Sequence, residues 1–556
     1  MYRSMVQELC DREKWIKIRD SEDYELLRIR LFDGYKKFCE GQEIPSINFS
    51  DEMDFLHTGT RVNFENLYFT RRKQLTIYAI LSMIYPKTEE YIKKLEDIIW
   101  AICSENTWVL PAHRFANWLN KRDGIDLFAA ETALYLVEIK HMLAGIISPI
   151  IAERITSEVK TRIIDSFECE NCWFETLHSN WAAVCGGSVG AVLIYECPEK
   201  FLKLEKRIYK CMENYLLGIG DDGGTSEGTA YWVYGFSFYV MFNDILRRHT
   251  FGRENNFVCE KVKKTAGFFS ACCLDENNIV TFSDVDALDC TRYPIWLMHF
   301  LKNEYDIELP NLSFGDLTLN SFSHTVRSFL YYNKNYGAGD MRECEHYFDK
   351  LEWYIRRGKN YGFAVKGGNN AEMHNHNDVG SFIITDTKRQ VLCDLGSSEY
   401  TAQTGVEARY KILNYSSLGH SVPIVNGNVQ EAGAEYSAKL SVCQNTVSVD
   451  MTKAYPARCN CLVRTFELSD MGITLHDSFD PNQKITERFV SEIEPLIKGN
   501  EMTLGGMRCV FDKKWRISVT FEDIKAHDGI TKRRIYLIDF ETDDAADSFT
   551  LDIKRV

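Results

Sequence analysis

The period of the hydrophobic pattern changes between about residues 325 and 350, and this change limits the chain to a layered architecture of at least two domains. Before it, apolar residues recur every three or four positions, as at Ile92 and Leu95 and between residues 136 and 150. That spacing predicts amphipathic helices. After the change, apolar and polar residues alternate, as in the segment 515–521, which predicts half-buried strands. A helical half followed by a strand-rich half is not an α/β fold.

Local signals give some of these elements their limits. Thr88 is the expected N-cap of a helix whose first turn contains Glu89 and Glu90, because acidic residues there complement the helix dipole. The segments 381–385 and 390–393 flank a polar turn and predict a β-hairpin.

The fold class follows from these patterns together. Only 11 prolines are present, which fits long helices, and many helices of similar length are typical of an (α/α) toroid. Several strands separated by Gly, Asn and Asp are typical of a large antiparallel sandwich. We expect a multidomain α plus β chain, with an N-terminal (α/α) toroid over residues 1–335 and a C-terminal antiparallel β-sandwich over residues 336–556.

Charge and composition exclude several classes of partner. The 556 residues carry a net charge of −15, which argues against nucleic acid or an anionic membrane as a partner. No apolar run is long enough for a membrane helix, and the first residues lack a secretory signal. We therefore expect a cytoplasmic protein whose 18 cysteines are reduced thiols that mostly pack in cores. Self-association as a homo-oligomer remains open.

The sharpest motif places His374, His376 and Asp378 two residues apart, so that on a strand they would share one face. Asp394 and His420 follow downstream. Two imidazoles and one carboxylate from separate strands form a zinc set. The alternative is a polar loop with hydrogen-bonded histidines, since a bare His-x-His is usually not a metal site.

A glycine-rich loop, 220–227, leads into a helix that carries Tyr231 and Tyr234. The loop lacks the Lys-Ser/Thr ending of a phosphate loop. Its aromatic residues suit a carbohydrate platform, and a tyrosine hydroxyl can act as an acid or base. Packing between helices is the alternative on spacing alone.

Two further segments carry polar and aromatic residues together. Asn180 and Trp181 precede a helix rich in small residues, which predicts close helix packing with Asn180 at a cavity or as an N-cap. The segment 107–114 holds a Trp, a His and an Arg that suit a sugar carboxylate, although a structural role is equally consistent.

Taken together, these segments resemble the heparinase II/III-like polysaccharide lyases. The motifs that carry the resemblance occur in the expected order, at residues 107–113, 179–181, 227–232, 366–382, 394–396, 408–410 and 420–423. The resemblance implies an (α/α) toroid followed by a β-sandwich, and β-elimination on uronic-acid polysaccharides such as glycosaminoglycans or alginate.

The resemblance also implies roles for individual residues. It implies catalytic roles for Asn180, Tyr231, Tyr234, His374 and Tyr410, with Asn180 on the substrate carboxylate and Tyr231 preferred over Tyr234. It implies a structural zinc ion held by His376, Asp394 and His420. Our candidates for binding the acidic sugar are Trp108, His113, Arg114, Trp181, Glu227 and Arg409. The family often has histidine where this chain has Trp181.

The leading hypothesis is a lyase that acts on short, imported uronate oligosaccharides, by exo action or oligosaccharide cleavage. One alternative is a glycoside hydrolase that uses Asp221 or Asp222 with Glu227 as paired carboxylates. A second is a non-catalytic carbohydrate-binding protein, an alternative that the Trp181 departure keeps open. A third, less favoured, is a metal-activated hydrolase built on the 374–378 motif.

Overall fold

The computed structural model describes residues 3–114, 122–288, 292–311, 315–336, 341–455, 460–481, 483–543 and 546–556. The chain divides into two compact units. The helical unit comprises Met1–Gly218, Val233–Lys263 and Arg292–Gly337. The sheet unit comprises Ile219–Trp232, Lys264–Thr291 and Ala338–Val556, and so includes two segments that precede residue 336. The domain boundary at residue 335 stays a prediction.

Helices dominate the chain before residue 335, as the apolar spacing predicts. The described α-helices are α1 (Met5–Leu9), α2 (Arg12–Asp20), α3 (Glu25–Phe38), α4 (Phe49–Thr58), α5 (Val62–Ile84), α6 (Glu89–Cys103), α7 (Leu127–Met142), α8 (Pro149–Val159), α9 (Asp165–Cys169), α10 (Asn180–Glu196), α11 (Pro198–Leu217), α12 (Gly228–His249), α13 (Glu260–Ala266), α14 (Phe268–Cys272), α15 (Ile295–Tyr305) and α16 (Phe322–Leu330). A π-helical turn, Lys160–Ile164, joins α8 to α9. Among the described residues, no helix is both long and apolar enough to cross a membrane.

Two helix limits test the sequence signals. Helix α6 begins after Thr88, with Glu89 and Glu90 in its first turn, which confirms that prediction. The helical spacing between residues 136 and 150 extends over parts of two helices, not over a single one. Helix α7 ends at Met142, and α8 begins at Pro149. Proline is preferred in the first turn of a helix because it has no N–H to leave unpaired.

Close packing of α10 confirms the interpretation of its small residues. A Cβ atom built on Gly186 would lie 2.4 Å from Cβ of Cys211 on α11, so only glycine fits that approach. Buried ion pairs join other helices of the unit. Arg327 on α16 donates to both carboxylate oxygens of Glu138 on α7, at 2.7 and 3.1 Å.

Strands occupy most of the chain after residue 340. They are β1 (Tyr293–Pro294), β2 (Gly315–Asp316), β3 (Cys344–Phe348), β4 (Trp353–Arg357), β5 (Gly362–Lys366), β6 (Gly368–Asn370), β7 (Phe382–Thr385), β8 (Gln390–Leu392), β9 (Ile424–Val425), β10 (Gly433–Cys443), β11 (Thr446–Lys453), β12 (Leu462–Ser469), β13 (Gly472–Phe479), β14 (Ile485–Ser491), β15 (Leu496–Lys498), β16 (Glu501–Leu504), β17 (Met507–Phe511), β18 (Arg516–Lys525), β19 (Lys532–Glu541) and β20 (Ser548–Arg555). The short pair β1–β2 is parallel and lies in the helical unit.

Three antiparallel sheets build the sheet unit. The largest has the order β15-β16-β17-β20-β13-β12-β11-β10-β6, and the others are β18-β19-β14-β9 and β3-β4-β5-β7-β8. Strands β7 and β8 form the predicted hairpin. The sheets share one apolar core, in which Phe363 of β5 packs 4.9 Å from Phe466 of β12 between ring centroids. Phe489 of β14 lies 6.0 Å from Phe549 of β20 in the same core.

The described cysteines are free thiols, and half of them are buried. A buried thiol in an apolar core behaves as a small hydrophobic side chain. This agrees with the packing role expected from the sequence.

Candidate functional site

The segment 371–380, between β6 and β7, carries the histidine motif but contains no strand. The expectation that alternate residues share one strand face is therefore wrong. His374 instead has a φ of +58°, in the left-handed region that non-glycine residues rarely adopt. Because of this turn, His376 and Asp378 point into one buried cluster and His374 lies outside it.

Four buried residues of the sheet unit form this cluster: His376, Asp378, Asp394 and His420. Each offers one nitrogen or oxygen atom, and the four atoms lie within 4.8 Å of one another. Three of these residues are the zinc ligands that the sequence resemblance implies. The fourth, Asp378, belongs to the motif but not to that ligand set.

The hydrogen bonds of the two histidines leave one nitrogen of each facing the cluster. Nε2 of His420 lies 2.8 Å from the carbonyl oxygen of Asn414, and Nε2 of His376 lies 3.2 Å from Oδ1 of Asp284. Both partners only accept, so each Nε2 carries the proton and each Nδ1 carries a lone pair. Neither Nδ1 has a hydrogen-bond partner among the described residues.

In each of the two aspartates, likewise, one carboxylate oxygen accepts a hydrogen bond and the other faces the cluster. Oδ1 of Asp378 accepts from Nζ of Lys366 at 2.7 Å, and Oδ1 of Asp394 accepts from the backbone N–H of Gly396 at 2.9 Å. Each Oδ2 is buried without a hydrogen-bond partner in the described part of the chain. Oδ2 of Asp394 lies 3.0 Å from Nδ1 of His420, so a positive charge placed between these two atoms would be stabilised by both.

Electrostatics at the cluster favour a cation. Burial lowers the pKa of His376, which keeps it in the neutral form that ligates metals. Burial also disfavours a charged His420, but the carboxylate of Asp394 outweighs this and raises the pKa of His420. The pair therefore attracts positive charge, and two imidazoles with two carboxylates match a four-coordinate divalent site. The residues fit the implied metal.

Asp284, which the sequence reasoning missed, joins this cluster to the neighbouring side chains. Its Oδ1 lies 3.2 Å from Nε2 of His376 and accepts from Nη2 of Arg409 at 2.9 Å. Its Oδ2 lies 3.0 Å from Nδ1 of His374 and accepts from the hydroxyl of Tyr400 at 3.0 Å. One buried carboxylate thus receives four donors.

These donors keep Asp284 ionised. Burial by itself would raise the pKa of this carboxyl, but the hydrogen bonds from His374 and His376 and the charge of Arg409 outweigh it. The resulting pKa lies below the ordinary value of aspartate. Ser283, directly before it, has a φ of +69°, so the chain is strained on both sides of the His374–Asp284 contact.

Tyr231, near the start of α12, stacks on His374. Their ring centroids are 3.8 Å apart and the planes make an angle of 18°. The Tyr231 hydroxyl lies 2.8 Å from the hydroxyl of Tyr400, which extends the hydrogen-bond chain to Asp284. Glu227 approaches from the other side, with Oε1 3.6 Å from Nε2 of His374. The sheet unit therefore brings together three predicted site residues and two that were not predicted.

A short 3₁₀ helix, Glu407–Lys411, carries the predicted pair Arg409 and Tyr410. The Tyr410 hydroxyl donates to Oδ1 of Asn375 at 3.0 Å, within the histidine motif. The guanidinium of Arg409 lies over the ring of Tyr415 at 4.2 Å, and its Nε has no hydrogen-bond partner among the described residues. A buried, unsatisfied guanidinium nitrogen is suited to an anionic ligand.

Asn180 and Tyr234 lie in the helical unit. Asn180 is the buried first residue of α10, with Ser179 as the N-cap. A Cβ on Gly235 of α12 would lie 3.0 Å from Cβ of Asn180, so the two helices meet at that glycine. The hydroxyl of Tyr234 donates to the buried carboxyl of Glu131. Burial raises the pKa of Glu131 to about 7, against the opposing effect of hydrogen bonds from Tyr234 and Tyr135.

Two of the predicted sugar-binding residues are committed to packing within the helical unit. Trp108 is 1% exposed, and its indole N–H donates to the carbonyl oxygen of Ile102 at 2.9 Å. Arg114 donates to the carbonyl oxygen of Val109 at 2.9 Å and forms an ion pair with Glu52 at 2.5 Å. A fully buried indole offers no face to a ligand.

The other two sugar-binding candidates in the helical unit, His113 and Trp181, lie together. Nδ1 of His113 is 2.8 Å from Oδ2 of Asp126, and the rings of His113 and Trp181 have centroids 5.1 Å apart. Trp181 also packs against Trp173 at 4.6 Å. A histidine therefore contacts Trp181, the position where the resembling family often has histidine.

Asp222, one of the carboxylates of the hydrolase alternative, is held by backbone N–H groups. Oδ1 of Asp222 accepts from the backbone N–H of Gly224 at 3.0 Å, and Oδ2 accepts from the backbone N–H of Lys350 at 3.1 Å. This aspartate shapes the glycine-rich loop. Its two occupied oxygens disfavour a role as a catalytic acid.

The sequence matches no protein-family model, and no curated protein matches it. The fold is similar to that of solved polysaccharide lyases. Heparinase III has a TM-score of 0.63 at 13% identity, over 98% of this chain and 92% of that one. The heparan sulfate lyase of Pedobacter heparinus has a TM-score of 0.58 at 11% identity, over 98% and 92%. The Streptomyces coelicolor chondroitin AC lyase, solved with chondroitin sulphate, has a TM-score of 0.56 at 9% identity, over 99% and 82%. The predicted fold class is confirmed: the chain has the heparinase-like polysaccharide lyase fold, an (α/α) toroid followed by an antiparallel β-sandwich.

Proposed function

We propose that this protein is a lyase that cleaves uronic-acid glycans by β-elimination. The observation that carries the proposal is the stacked pair of Tyr231 and His374, tied through Tyr400 to the ionised Asp284. Acid and base groups in contact are what the elimination needs, and the fold is one that solved polysaccharide lyases share.

The reaction has two proton transfers. Nδ1–H of His374 faces Asp284, so its Nε2 is free of that proton and takes the C5 proton of the uronate. The electron pair of the C5–H bond forms the C4–C5 double bond, and the C4–O bond breaks. The Tyr231 hydroxyl gives its proton to the departing oxygen. Protonated His374 and the tyrosinate then return to their starting forms by proton exchange after the product leaves.

The uronate carboxylate must also be neutralised, because the C5 proton is only weakly acidic. Arg409 supplies a partly unsatisfied guanidinium in the sheet unit. Asn180 keeps the carboxylate-binding role that the sequence resemblance implies. An acidic glycan is the expected partner. Because the chain as a whole has a net charge of −15, a few basic side chains at the site must bind this glycan.

A divalent cation, which we propose is zinc, would be held by His376, Asp378, Asp394 and His420. When bound, it supplies charge compensation and fixes these side chains, without a direct part in the proton transfers. Action on short oligosaccharides and exo cleavage belong to the same proposal. Heparan-type, chondroitin-type and alginate-type uronates remain the substrate classes to compare.

A panel of these oligosaccharides tests the proposal. Turnover is read by the ultraviolet absorbance of the new C4–C5 double bond and, in parallel, by the release of reducing ends. We expect both signals together, and loss of both in Tyr231→Phe. Reducing ends without absorbance would mean hydrolysis. Binding without either signal would mean a non-catalytic carbohydrate-binding protein.

A further inference from the structure

The buried carboxylate of Asp284 lies between two groups of side chains that the proposed function uses separately. On one side its Oδ1 faces His376 of the metal cluster and Arg409, at 3.2 and 2.9 Å. On the other its Oδ2 faces His374 and Tyr400, both at 3.0 Å. The side chain of Asp284 is only 1% exposed, so water does not compete for these contacts.

These contacts decide which nitrogen of each histidine carries the proton. A carboxylate only accepts hydrogen bonds, so Nε2 of His376 and Nδ1 of His374 are both protonated. In a neutral imidazole the other nitrogen then holds the lone pair. For His376 that nitrogen is Nδ1, which faces the cluster. For His374 it is Nε2, which faces away from Asp284 and lies 3.6 Å from Oε1 of Glu227, too far for a hydrogen bond that would hold a proton there.

We propose that Asp284 is a positioning residue that sets both histidines at once, presenting Nδ1 of His376 to the cation and Nε2 of His374 to the substrate. The part that concerns His374 as a base rests on the proposed lyase function. The part that concerns His376 and the cation does not. Metal binding and base orientation thus depend on the same carboxylate.

Two substitutions separate the roles of the two oxygens. Asp284→Ala removes both acceptors. Asp284→Asn keeps one acceptor oxygen, and Arg409 decides where it goes, because a guanidinium only donates and cannot face an NH₂ group favourably. The amide oxygen therefore stays toward Arg409 and His376, and the NH₂ group turns toward His374. There it donates to Nδ1 and moves the histidine proton to Nε2.

The metal arm of the test needs no glycan. Zinc affinity of the metal-depleted protein is measured by competition with a chromogenic chelator. We expect Asp284→Ala to weaken zinc binding by about 10- to 100-fold, as is usual for loss of an outer hydrogen-bond partner of a ligand. We expect the zinc affinity of Asp284→Asn to stay within about threefold of that of the unsubstituted protein, because the amide oxygen still accepts from His376. Asp286→Ala and Asp286→Asn, in the same loop, are matched controls and leave the affinity unchanged. The Asp286 carboxylate accepts from the backbone N–H of Leu288 and, among the described residues, is not part of the cluster.

The base arm reads the tautomer of His374 directly. In protein labelled with ¹⁵N-histidine, the His374 signal is identified by its loss in His374→Gln. We expect a proton on Nδ1 in the unsubstituted protein and on Nε2 in Asp284→Asn. In the lyase assay, Asp284→Asn lowers kcat by about 100-fold or more with a smaller change in KM.

Each result decides part of the proposal. Unchanged zinc affinity in Asp284→Ala overturns the link to the cation, and an unchanged His374 tautomer in Asp284→Asn overturns the link to the base. If Asp284→Ala does not fold, the asparagine variant still decides the part that concerns His374. The ¹⁵N signals of His376 in the unsubstituted protein then decide the other part: a proton on Nε2 is expected, and a proton on Nδ1 overturns the link to the cation. Absence of lyase turnover in the unsubstituted protein defeats the proposed function, while the affinity and tautomer results stand independently.

Discussion

The phenol ring of Tyr231 lies face to face with the imidazole of His374, with 3.8 Å between the ring centroids. Tyr234, three residues further along α12, instead donates its hydroxyl to the buried carboxyl of Glu131. The two tyrosines that the sequence left as alternatives therefore have different surroundings. One stacks on a histidine, and the other donates to a buried carboxyl.

Replacing each tyrosine by phenylalanine separates catalysis from stability. Tyr231→Phe keeps the stacking ring and loses only the acidic hydroxyl, so we expect kcat to fall by about 100-fold or more with little change in melting temperature. Tyr234→Phe leaves a buried carboxyl without one of its donors, which costs about 1–3 kcal/mol of unfolding free energy. Activity assays and urea unfolding of both variants make the comparison. The reverse pattern would identify Tyr234 as the catalytic tyrosine.

Glu131 gives the stability of the protein a specific pH dependence. Burial raises its pKa to about 7 in the folded chain, whereas the unfolded chain has the ordinary value of about 4.5. Between these values the folded state binds more protons, so stability is full below about pH 4.5, falls as the pH rises to about 7, and is then constant. The loss is on the order of 3 kcal/mol.

Urea unfolding across this range, in the unsubstituted protein and in Glu131→Gln, checks that dependence. Glutamine does not titrate and keeps an oxygen to accept from Tyr234. We expect the difference in unfolding free energy between the two proteins to change with pH in the stated direction. A difference that is constant across the range would contradict the raised pKa.

Removal of the cation, or of one ligand, should lower stability more than it alters the chemistry. Asp394→Asn keeps an oxygen for the N–H of Gly396 but replaces the ligand oxygen by an NH₂ group, so metal content and melting temperature should both fall. Elemental analysis and thermal unfolding with and without a chelator measure these. The control is Asp386→Asn. The carboxylate of Asp386 also accepts backbone N–H groups, from Lys388 and Arg389 on Oδ1 and from Gly506 on Oδ2, but lies outside the cluster. This variant loses a comparable backbone hydrogen bond, so its metal content should stay unchanged even if its melting temperature falls. Chelation that stops turnover without lowering the melting temperature would mean that the metal acts in the reaction.

Arg464 forms hydrogen bonds to two loops that carry cluster residues. Its guanidinium is fully buried against Asp477 and Glu487, and it also donates to the carbonyl oxygens of Ser421, at 2.6 Å, and Gly380, at 3.2 Å. Those two residues lie close in the chain to two of the cluster residues.

Arg464→Met should therefore lower the unfolding free energy by about 3–5 kcal/mol, since it leaves buried carboxylates unpaired. We also expect weaker zinc binding, because two loops of the cluster lose a common anchor. Arg508→Met, which removes an exposed pair with Glu501, is the control and should change neither measurement. Loss of stability with unchanged zinc affinity would restrict Arg464 to a packing role.

Periodicity predicted the order of helices and strands because burial of apolar faces dominates both halves of the chain. It did not show where α7 ends and α8 begins, because apolar residues continue through the turn that separates them. It also failed for the histidine motif, where the left-handed backbone of His374 breaks the alternation that a strand would give.

The site itself was predicted in part. Tyr231, His374 and Arg409 do lie together, and three of the four cluster residues were named as metal ligands, whereas Asp378 was named only as part of the motif. Asp284 could not be found, because nothing in its local sequence separates it from the aspartates at 275 and 286. Its hydrogen-bond partners lie 90 or more positions further along the chain. Only folding brings them close to Asp284.

Ser283 and His374 both have positive φ angles, so an unfavourable backbone conformation lies on each side of the hydrogen bond between His374 and Asp284. Each costs on the order of 1–2 kcal/mol, and neither residue is a glycine that would relieve it. The rest of the sheet unit must hold these turns in place against their own preference. The geometry at His374 is thus maintained by the stability of the sheets around it. Mutations that loosen those sheets would alter the backbone at His374 before the protein unfolds.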